Sequence, residues 1–202
     1  MAEAIQEIIV ATKNAGKVAE FKMALSGLPY RVLALADLGC FPEAPEEGQT
    51  FAENACFKAK FYAKLTGKLC LADDSGLEVD YLNGAPGVYS ARYAGEHATD
   101  ADNNQKLLEQ LAEAVPEQRA GRFRCVLVLA DSEKIWCTAD GTVEGVVLSE
   151  ARGNNGFGYD PLLFIPERGR SLAELSAAEK NEISHRGRAI RELVKQLAVL
   201  EK

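Results

Sequence analysis

The sequence predicts an α/β fold with a mixed, twisted sheet and flanking helices, on the basis of three observations. In the first half of the chain, apolar strand-like runs alternate with amphipathic helical segments, the order typical of parallel strands. In the second half, apolar runs follow one another across short polar turns, as in hairpins. No Gly/Ser-rich or Pro-rich linker divides the 202 residues, so we expect a single domain over residues 1–202.

The first half of the chain contains three predicted strands and three predicted helices. Gly27 and Pro29 end the first helix, and residues 37–49 are predicted to form a loop. Thr50 and Glu53 form a capping box at the start of the second helix. The predicted strands are Ile5–Ala11, Arg31–Leu35 and Leu69–Ala72, and the predicted helices are one that carries Val18, Phe21 and Leu25, then Thr50–Leu65 and Asp100–Ala114.

The second half is predicted to consist mainly of hairpins. A tight turn at 131–133 joins two strands, and the pair Asp140-Gly141 predicts a further turn because Asp-Gly favours hairpin geometry. A Gly/Asn-rich loop over 149–161 precedes the last predicted strand, and apolar residues at helical spacing predict a C-terminal helix. The predicted strands are Arg122–Ala130, Lys134–Thr138, Val143–Leu148 and Leu162–Ile165, and the apolar face of the last helix carries Ile190, Leu193, Val194, Leu197 and Leu200.

Charge and cysteine content argue against several classes of protein. The net charge is −7, without the basic excess of a nucleic-acid-binding protein, although an acidic chain can still bind a small phosphate ligand. The five cysteines are scattered and only two histidines, His97 and His185, occur, so we expect reduced thiols and no zinc cluster. No segment resembles a signal peptide or a membrane span, so a cytoplasmic protein without a membrane partner is expected.

The segment Thr12–Lys17 lies between a predicted strand and a predicted helix. This geometry aims backbone N–H groups at an anion, and the two lysines add positive charge. It is not a P-loop, because Ala11 and Val18 occupy positions that would need glycine and serine or threonine. The alternative is an ordinary helix start capped by Asn14.

Two adjacent carboxylates, Asp73 and Asp74, follow the apolar strand at 69–72 and precede Ser75-Gly76. In extended backbone they point to opposite faces, so at most one of them faces a given metal ion directly. Mg²⁺ needs only one or two carboxylates, and the second could come from Glu46 or Glu47. The alternative is that the segment is a solvated turn, which Asp, Ser and Gly also favour.

Further candidates lie on a helix, in a loop and before the last helix. Lys58 shares a helix face with Asn54 and could reach a phosphate, or be a solvated lysine. The loop GNNGFGYDP presents Phe157 as a surface on which a base could stack, or as a core residue of a structural loop. Lys180 and His185 precede the last helix, where the histidine could act as a general base, recognise a base or be structural.

Together these segments carry a resemblance over nearly the whole chain. In order along the sequence they are ATKNAGK, EEGQTFAENACFKA, LADDSGLEVDYLNGAPGVYSARYAG, RFRCVLVLAD, GFGYDPLLF and AEKNEISHRG. This order resembles the inosine triphosphate pyrophosphatase family, whose members cleave noncanonical purine nucleoside triphosphates. The combination of ADDSGLEVD, GFGYDP and SHRG is highly specific.

The resemblance implies an Mg²⁺-dependent enzyme that cleaves ITP, dITP and XTP to the monophosphate and pyrophosphate. It implies that Asp74 is the catalytic acid/base and a metal ligand, that Glu46 is the other metal ligand, and that Asp73 supports the metal. It also implies a homodimer of elongated, two-lobed subunits with a central cleft. Lys13 departs from the glycine of many members and adds a cation. The implied substrate-binding residues are Thr12, Lys13, Asn14, Ala15, Gly16 and Lys17 for the triphosphate, Lys58 and Ser75, and for the base Phe157, Gly158, Tyr159, Asp160, Lys180, His185 and Arg186.

Two other functions fit parts of the pattern. A Maf-type pyrophosphatase would act on other modified or pyrimidine nucleotides, but the SHRG and GFGYDP segments argue against it. A non-catalytic nucleotide sensor could dispense with Glu46 and Asp74, and both acids are present. Metal-dependent release of pyrophosphate distinguishes an enzyme from a sensor.

Overall fold

The computed structural model describes residues 6–200, without the side chain of Leu200. Ile5, the predicted first residue of the first strand, lies outside the described residues. Within them the strands are β1 (Gln6–Val10), β2 (Tyr30–Ala34), β3 (Leu69–Val79), β4 (Ala120–Ala130), β5 (Ile135–Val147), β6 (Leu163–Ile165) and β7 (Arg170–Ser171). They form one sheet in the order β2-β1-β3-β4-β5-β6-β7.

The sheet is mixed, as the sequence predicts. β1 pairs in parallel with both β2 and β3, so that Ile8 lies opposite Val32 on one side and Leu69 on the other. β6 pairs antiparallel with β5 and with β7. The chain is therefore α/β with a mixed seven-stranded sheet and flanking helices, which confirms the predicted fold class.

Two strands are longer than the sequence patterns suggest. β3 continues through Asp73–Gly76 to Val79, so the alternative of a solvated turn at these residues is wrong. β5 continues through Asp140-Gly141, so the predicted turn at this pair is also wrong. In β5 the odd-numbered residues from Cys137 to Val143 are buried and their neighbours are more exposed, so strand alternation persists through the glycine.

The second helix begins and ends at the expected signals, whereas boundaries of the other predicted helices differ. In the second helix, Glu53 N–H donates to Thr50 Oγ1 at 3.1 Å, and Gly67 ends the helix in the left-handed conformation at φ 66°. The first helix ends before Leu25, the third ends before the predicted Ala114, and the last begins at His185, a residue expected to precede it. The helices are α1 (Ala15–Ala24), α2 (Phe51–Thr66), α3 (Asp100–Gln110), α4 (Ala177–Ile183) and α5 (His185–Leu200).

The described residues fall into two compact units. Unit 1 comprises residues 6–74, 126–140 and 189–200, and unit 2 comprises 75–125 and 141–188. In unit 1 the buried apolar residues include Ile8, Ile9, Phe21, Leu71, Leu127, Leu129, Leu193 and Leu197. Unit 2 has a core that contains Leu77, Leu107, Leu111, Phe123, Tyr159, Leu162, Leu163 and Leu172. The single domain and the cleft expected from the sequence stay predictions.

The cysteines are all free thiols. Cys40 is exposed, Cys56 is half-buried, and Cys70, Cys125 and Cys137 are buried. Burial raises the pKa of the Cys70 and Cys137 thiols to about 11, which leaves very little reactive thiolate at neutral pH. None of the described helices is long and apolar enough to cross a membrane.

Candidate active site

The predicted anion-binding segment is the connection between β1 and α1 in unit 1. Asn14 caps α1, because its Oδ1 atom accepts from Lys17 N–H at 3.1 Å. Thr12 Oγ1 accepts from Asn14 N–H at 3.2 Å, so the turn is held by its own side chains. The first N–H groups of a helix have no intrahelical acceptor and bear partial positive charge. The cap at Asn14 and an anion site are therefore compatible, because the cap satisfies only one of these groups.

The two lysines of this segment have different partners. Lys17 Nζ lies 2.7 Å from Asp73 Oδ2, and the Asp73 side chain is only 3% exposed. Lys13 Nζ lies 2.7 Å from Glu43 Oε1 in an ion pair whose side chains are 66% and 82% exposed. Lys17 is thus tied to the buried aspartate of β3, whereas Lys13 forms a solvated pair of small energetic value.

Asp74 is bound to α2 through the amide of a buried asparagine. Asn54 Nδ2 donates to Asp74 Oδ2 at 3.0 Å, and Asn54 Oδ1 accepts from Gly48 N–H at 2.8 Å. A side chain at position 48 would clash with Asn54 and Glu53, so glycine is required for this approach. Asn54 is not among the predicted site residues. The sequence feature that points to it is its position one helical turn before Lys58, on the same face of the helix. One fully buried amide therefore joins the catalytic candidate to the loop that carries Glu46.

Lys58 is the central cation of this cluster. Its Nζ atom lies 2.5 Å from Glu46 Oε1 and donates to Asp73 O at 3.4 Å. Burial alone would lower the pKa of Lys58, but the hydrogen bond and the charge of Glu46 outweigh it and raise the pKa. The contact with Lys58 supports Glu46, rather than Glu47, as the second acid of the site.

The surroundings of Asp74 change its acidity. Burial raises the pKa of its carboxyl to about 6, against the charge of Lys58 and the amide of Asn54, which lower it. The negative charges of Glu46 and Asp73 act in the same direction as burial. A carboxylate with a raised pKa is a better proton acceptor near neutral pH than an ordinary aspartate.

The predicted metal site has two carboxylate donors, Glu46 and Asp74. Among residues 6–200, no three His, Cys, Asp or Glu side chains form a group that could hold a metal by themselves. Mg²⁺ is commonly held by one or two carboxylates together with phosphate oxygens. Glu46 and Asp74 are such a pair, so the donors fit an ion that binds together with a nucleotide.

In unit 2, the glycine-rich loop presents an aromatic ring. Phe157 is 52% exposed, and its N–H donates to Asp160 Oδ2 at 2.9 Å. The buried Asp160 also accepts from Lys180 Nζ at 2.5 Å, and a side chain at Gly156 would clash with this carboxylate. Tyr159 is buried and donates its hydroxyl to Ser90 O at 2.8 Å, so its ring belongs to the core. The alternative that Phe157 is itself a core residue is wrong.

Cations lie over the ring of Phe157. Lys180 Nζ is 4.8 Å and Arg186 Cζ is 5.8 Å from the ring centroid, distances at which cation–π attraction operates. The structure thus brings together, within unit 2, the aromatic residue and two of the polar residues predicted from separate segments. The cationic groups of Lys180 and Arg186 therefore lie close to the exposed ring on which a planar base could stack.

The SHRG segment, residues 184–187, forms the start of α5. Ser184 Oγ accepts from Gly187 N–H at 3.1 Å and so caps the helix. His185 is 6% exposed and stacks on Phe123, with ring centroids 4.9 Å apart. A side chain at position 187 would clash with Asn181 O, so the glycine permits close packing of α4 and α5. Ser75, the remaining predicted residue, directly follows Asp74 in β3 and is half-buried.

Comparisons with known proteins place the chain in a family. Residues 8–196 match the model of the Ham1 family.

The chain belongs to the Ham1 family.

The relatives of this Ham1-family chain have informative names. It is 51% identical over 189 residues to a dITP/XTP pyrophosphatase of Bacillus licheniformis, with 94% of this chain and 96% of that protein covered. It is 49% identical over 197 residues to a dITP/XTP pyrophosphatase of Vibrio cholerae, with 96% and 97% covered. The resemblance to pyrophosphatases of noncanonical purine nucleotides is therefore confirmed.

Solved structures of Ham1 proteins have the same fold. A HAM1 protein from Coxiella burnetii superposes with a TM-score of 0.90 at 42% identity, covering 98% of this Ham1-family chain and 100% of that one. The Ham1 protein of Staphylococcus aureus gives a TM-score of 0.87 at 41% identity, with 97% and 98% covered. The agreement extends over both units.

Proposed function

We propose that this chain hydrolyses the noncanonical purine nucleotides ITP, dITP and XTP to the monophosphate and pyrophosphate. The observation that carries the proposal is the cluster in unit 1, where Asp74 and Glu46 lie around Lys58 while Lys17 pairs with Asp73. Such a cluster combines a proton acceptor, a pair of metal ligands and cations for a leaving group. The names of the relatives, at about half identity, give the substrate class.

We propose Mg²⁺ as the cofactor, held by Glu46 and Asp74. Three carboxylates lie with two lysines in this cluster, so the cluster has no excess of positive charge with which to bind a triphosphate. When bound, the ion would supply that charge and polarise the phosphate oxygens.

Each residue of the cluster has a proposed role in the reaction. Asp74 accepts a proton from the water that attacks the α-phosphorus, a role that its raised pKa suits. Lys58 and Lys17 stabilise the negative charge that develops on the departing pyrophosphate. The N–H groups at the start of α1, in the segment 12–17, bind the terminal phosphates. Ser75 contacts the substrate beside Asp74.

We assign recognition of the base to unit 2. The exposed ring of Phe157 stacks on the purine, and Gly158, Tyr159 and Asp160 complete the loop around it, where the Asp160 carboxylate accepts from Phe157 N–H. Donors from Lys180, His185 and Arg186 satisfy the 6-oxo group of hypoxanthine or xanthine. Adenine presents a 6-amino donor at that position, so the same groups would be left unpaired or opposed.

The proposal also includes a homodimer and a cytoplasmic location. The homodimer rests on the family resemblance. The location is supported by the five free thiols, which suit a reducing compartment.

A product assay tests the function. The purified chain with Mg²⁺ is incubated separately with ITP, dITP, XTP, ATP, GTP and dTTP, and the products are separated by ion-exchange chromatography. We expect the first three to yield monophosphate and pyrophosphate without a diphosphate intermediate. ATP and GTP should react about a hundredfold more slowly, the scale that hydrogen-bond mismatches allow. A chelator should stop all turnover, because the two lysines of the cluster are outnumbered by its three carboxylates and cannot neutralise a triphosphate by themselves.

Each contrary result points to a different error. Orthophosphate as the first product would mean attack at the γ-phosphorus and would refute the assigned chemistry. Equal rates on ATP and ITP would refute the substrate class but leave the chemistry intact. Fastest turnover of dTTP would favour a Maf-type enzyme, and binding without turnover would favour a sensor.

The role of Asn54 in holding Asp74 gives a second prediction. Asn54→Ala removes the donor to Asp74 and the acceptor of Gly48 N–H, so the carboxylate should move. We expect kcat for ITP to fall about tenfold, since small misplacement of a catalytic group is costly. The free energy of unfolding should fall by about 2 kcal/mol, because buried partners are left unpaired.

Asn103 provides a matched control for this variant. It is also a buried helical asparagine, and it accepts from Ala94 N–H at 2.8 Å and donates to Ala91 O at 3.1 Å. Asn103→Ala should lose similar stability while kcat stays within about twofold of wild type. Equal kcat values for the two variants, with both folded by circular dichroism, would show that Asn54 has no special role at Asp74.

A further inference from the structure

Both polar backbone atoms of Gly158 are held by side chains of one helix. Gly158 N–H donates to Asp100 Oδ2 at 2.6 Å, and Gly158 O accepts from Asn104 Nδ2 at 3.0 Å. Asp100 and Asn104 are four residues apart on α3, so they lie on the same helix face. Asp100 and Asn104 together form a clamp that holds the two peptide groups on either side of the Gly158 α-carbon, more than fifty positions away in the sequence.

Gly158 directly follows Phe157, whose ring is exposed. The ring is 52% exposed, so packing in the core cannot determine where it points. Its position depends instead on the loop backbone, which Asp160 holds on one side through Phe157 N–H. The clamp from α3 holds the backbone of the next residue, Gly158, which adopts a left-handed conformation at φ 61°. Both hydrogen bonds of the clamp lie within unit 2.

We infer that Asp100 and Asn104 are positioning residues that set the Phe157 ring for stacking on the purine base. They act through the backbone of Gly158 and touch the loop, not the base. The inference rests on the proposed function, in which Phe157 contacts the base. It adds α3, a helix that none of the predicted substrate-binding residues occupies, to the determinants of substrate binding.

The hydrogen bonding of Asn104 separates this role from a purely structural one. Its Oδ1 atom is buried and has no hydrogen-bond partner within the part of the chain that the structure describes. A buried acceptor without a donor destabilises the folded state, so the amide is poorly suited to a role in stability alone. Truncation removes this cost together with the clamp. Positioning therefore predicts impaired substrate binding with little loss of stability, whereas a structural role predicts the reverse.

The test compares four variants of the full chain: Asn104→Ala, Asp100→Ala, Asp100→Asn and the control Gln105→Ala. Gln105 is the exposed neighbour on α3 and bonds only to Glu109 among the contacts seen in residues 6–200. We measure KM and kcat for ITP, the melting temperature, and hydrogen–deuterium exchange at the Gly158 amide for each variant.

We expect KM for ITP to rise about tenfold in Asn104→Ala and Asp100→Ala, the scale of a lost base–ring stacking contact. We expect kcat to stay within about twofold, since the residues of unit 1 assigned to the reaction are untouched. Amide exchange at Gly158 should become faster in both variants. Asp100→Asn should recover most of the wild-type KM, because its amide oxygen can still accept from Gly158 N–H. Gln105→Ala should behave as wild type.

Two outcomes would overturn the inference, and they differ from the outcome that would refute the proposed function. Faster exchange at Gly158 with an unchanged KM would overturn the inference, because the loop would then be loosened without effect on binding. A fall in kcat and melting temperature at constant KM would show a structural role and also overturn it. Should Asn104→Ala not fold, the comparison of Asp100→Ala with Asp100→Asn still decides the matter. Wild-type chain inactive on ITP would instead refute the proposed function.

Discussion

Asp74→Asn should lower kcat for ITP by about a thousandfold or more, within the range of general acid–base catalysis and with a metal ligand lost as well. The amide has nearly the same shape as the carboxylate, but it cannot accept a proton near neutral pH and is a weak ligand for Mg²⁺. Asn54 Nδ2 can still donate to the remaining oxygen, so the fold should be retained. Removal of a buried carboxyl whose pKa is raised should not destabilise the chain.

The measurement is pyrophosphate release under saturating ITP, with thermal unfolding recorded for each protein. Asp140→Asn, at an exposed aspartate of β5, is the matched control and should keep wild-type kcat. Glu46→Gln should also be strongly impaired, because it removes the other proposed metal ligand. If Asp74→Asn retained more than about a tenth of wild-type turnover, equivalent to ~1.4 kcal/mol of barrier, Asp74 would not be the catalytic base.

Lys17→Ala should affect both stability and turnover. Its ammonium group is the observed cationic partner of the Asp73 carboxylate, which is 3% exposed, so truncation weakens the neutralisation of a buried charge. We expect a loss of about 3 kcal/mol in the free energy of unfolding, the lower end for breaking a buried pair. Turnover of ITP should fall about a hundredfold, because the same lysine is proposed to stabilise the leaving group.

A double-mutant cycle with Asp73→Asn separates these two effects. If Asp73 serves mainly as the partner of Lys17, the double variant should regain most of the lost stability but not the activity. Lys13→Ala is the control, and the exposed pair with Glu43 predicts a change of less than about 1 kcal/mol. Additive losses of stability in the cycle would contradict the pairing and favour a separate role for Asp73 at the metal.

The sequence predicts the parallel half of the sheet well and misjudges two strands for a local reason. Leu69–Ala72 is apolar, and the polar residues that follow resemble a turn, yet β3 continues through them because their side chains bond to α1 and α2. The pair Asp140-Gly141 is a strong local turn signal, yet the alternation of buried and exposed residues continues through it from Cys137 to Val143. In β3 tertiary contacts override local propensity, and in β5 the burial of one face of the strand does so.

The sequence likewise reveals some residues of the candidate site and not others. Residues that carry charge or an aromatic ring, such as Lys58 and Phe157, stand out in the sequence because their chemistry is visible there. Asp100 and Asn104 do not stand out in the sequence, because they bond to backbone atoms of Gly158 in a distant loop. Helical spacing shows that the two share a face, but it cannot show which peptide that face meets.

The uninterrupted course of β3 constrains the number of residues in it as well as their identity. Successive side chains of a strand point to opposite sides, so one residue inserted between Leu71 and Asp73 would exchange the sides that the two carboxylates face. Two inserted residues would restore the sides but shift the carboxylates by roughly 7 Å along the strand. A single residue inserted after Gly76 would instead turn Leu77 and Val79 out of the core. Length variation among functional chains of this kind should therefore fall in connections such as the turn between β4 and β5, and never within this strand.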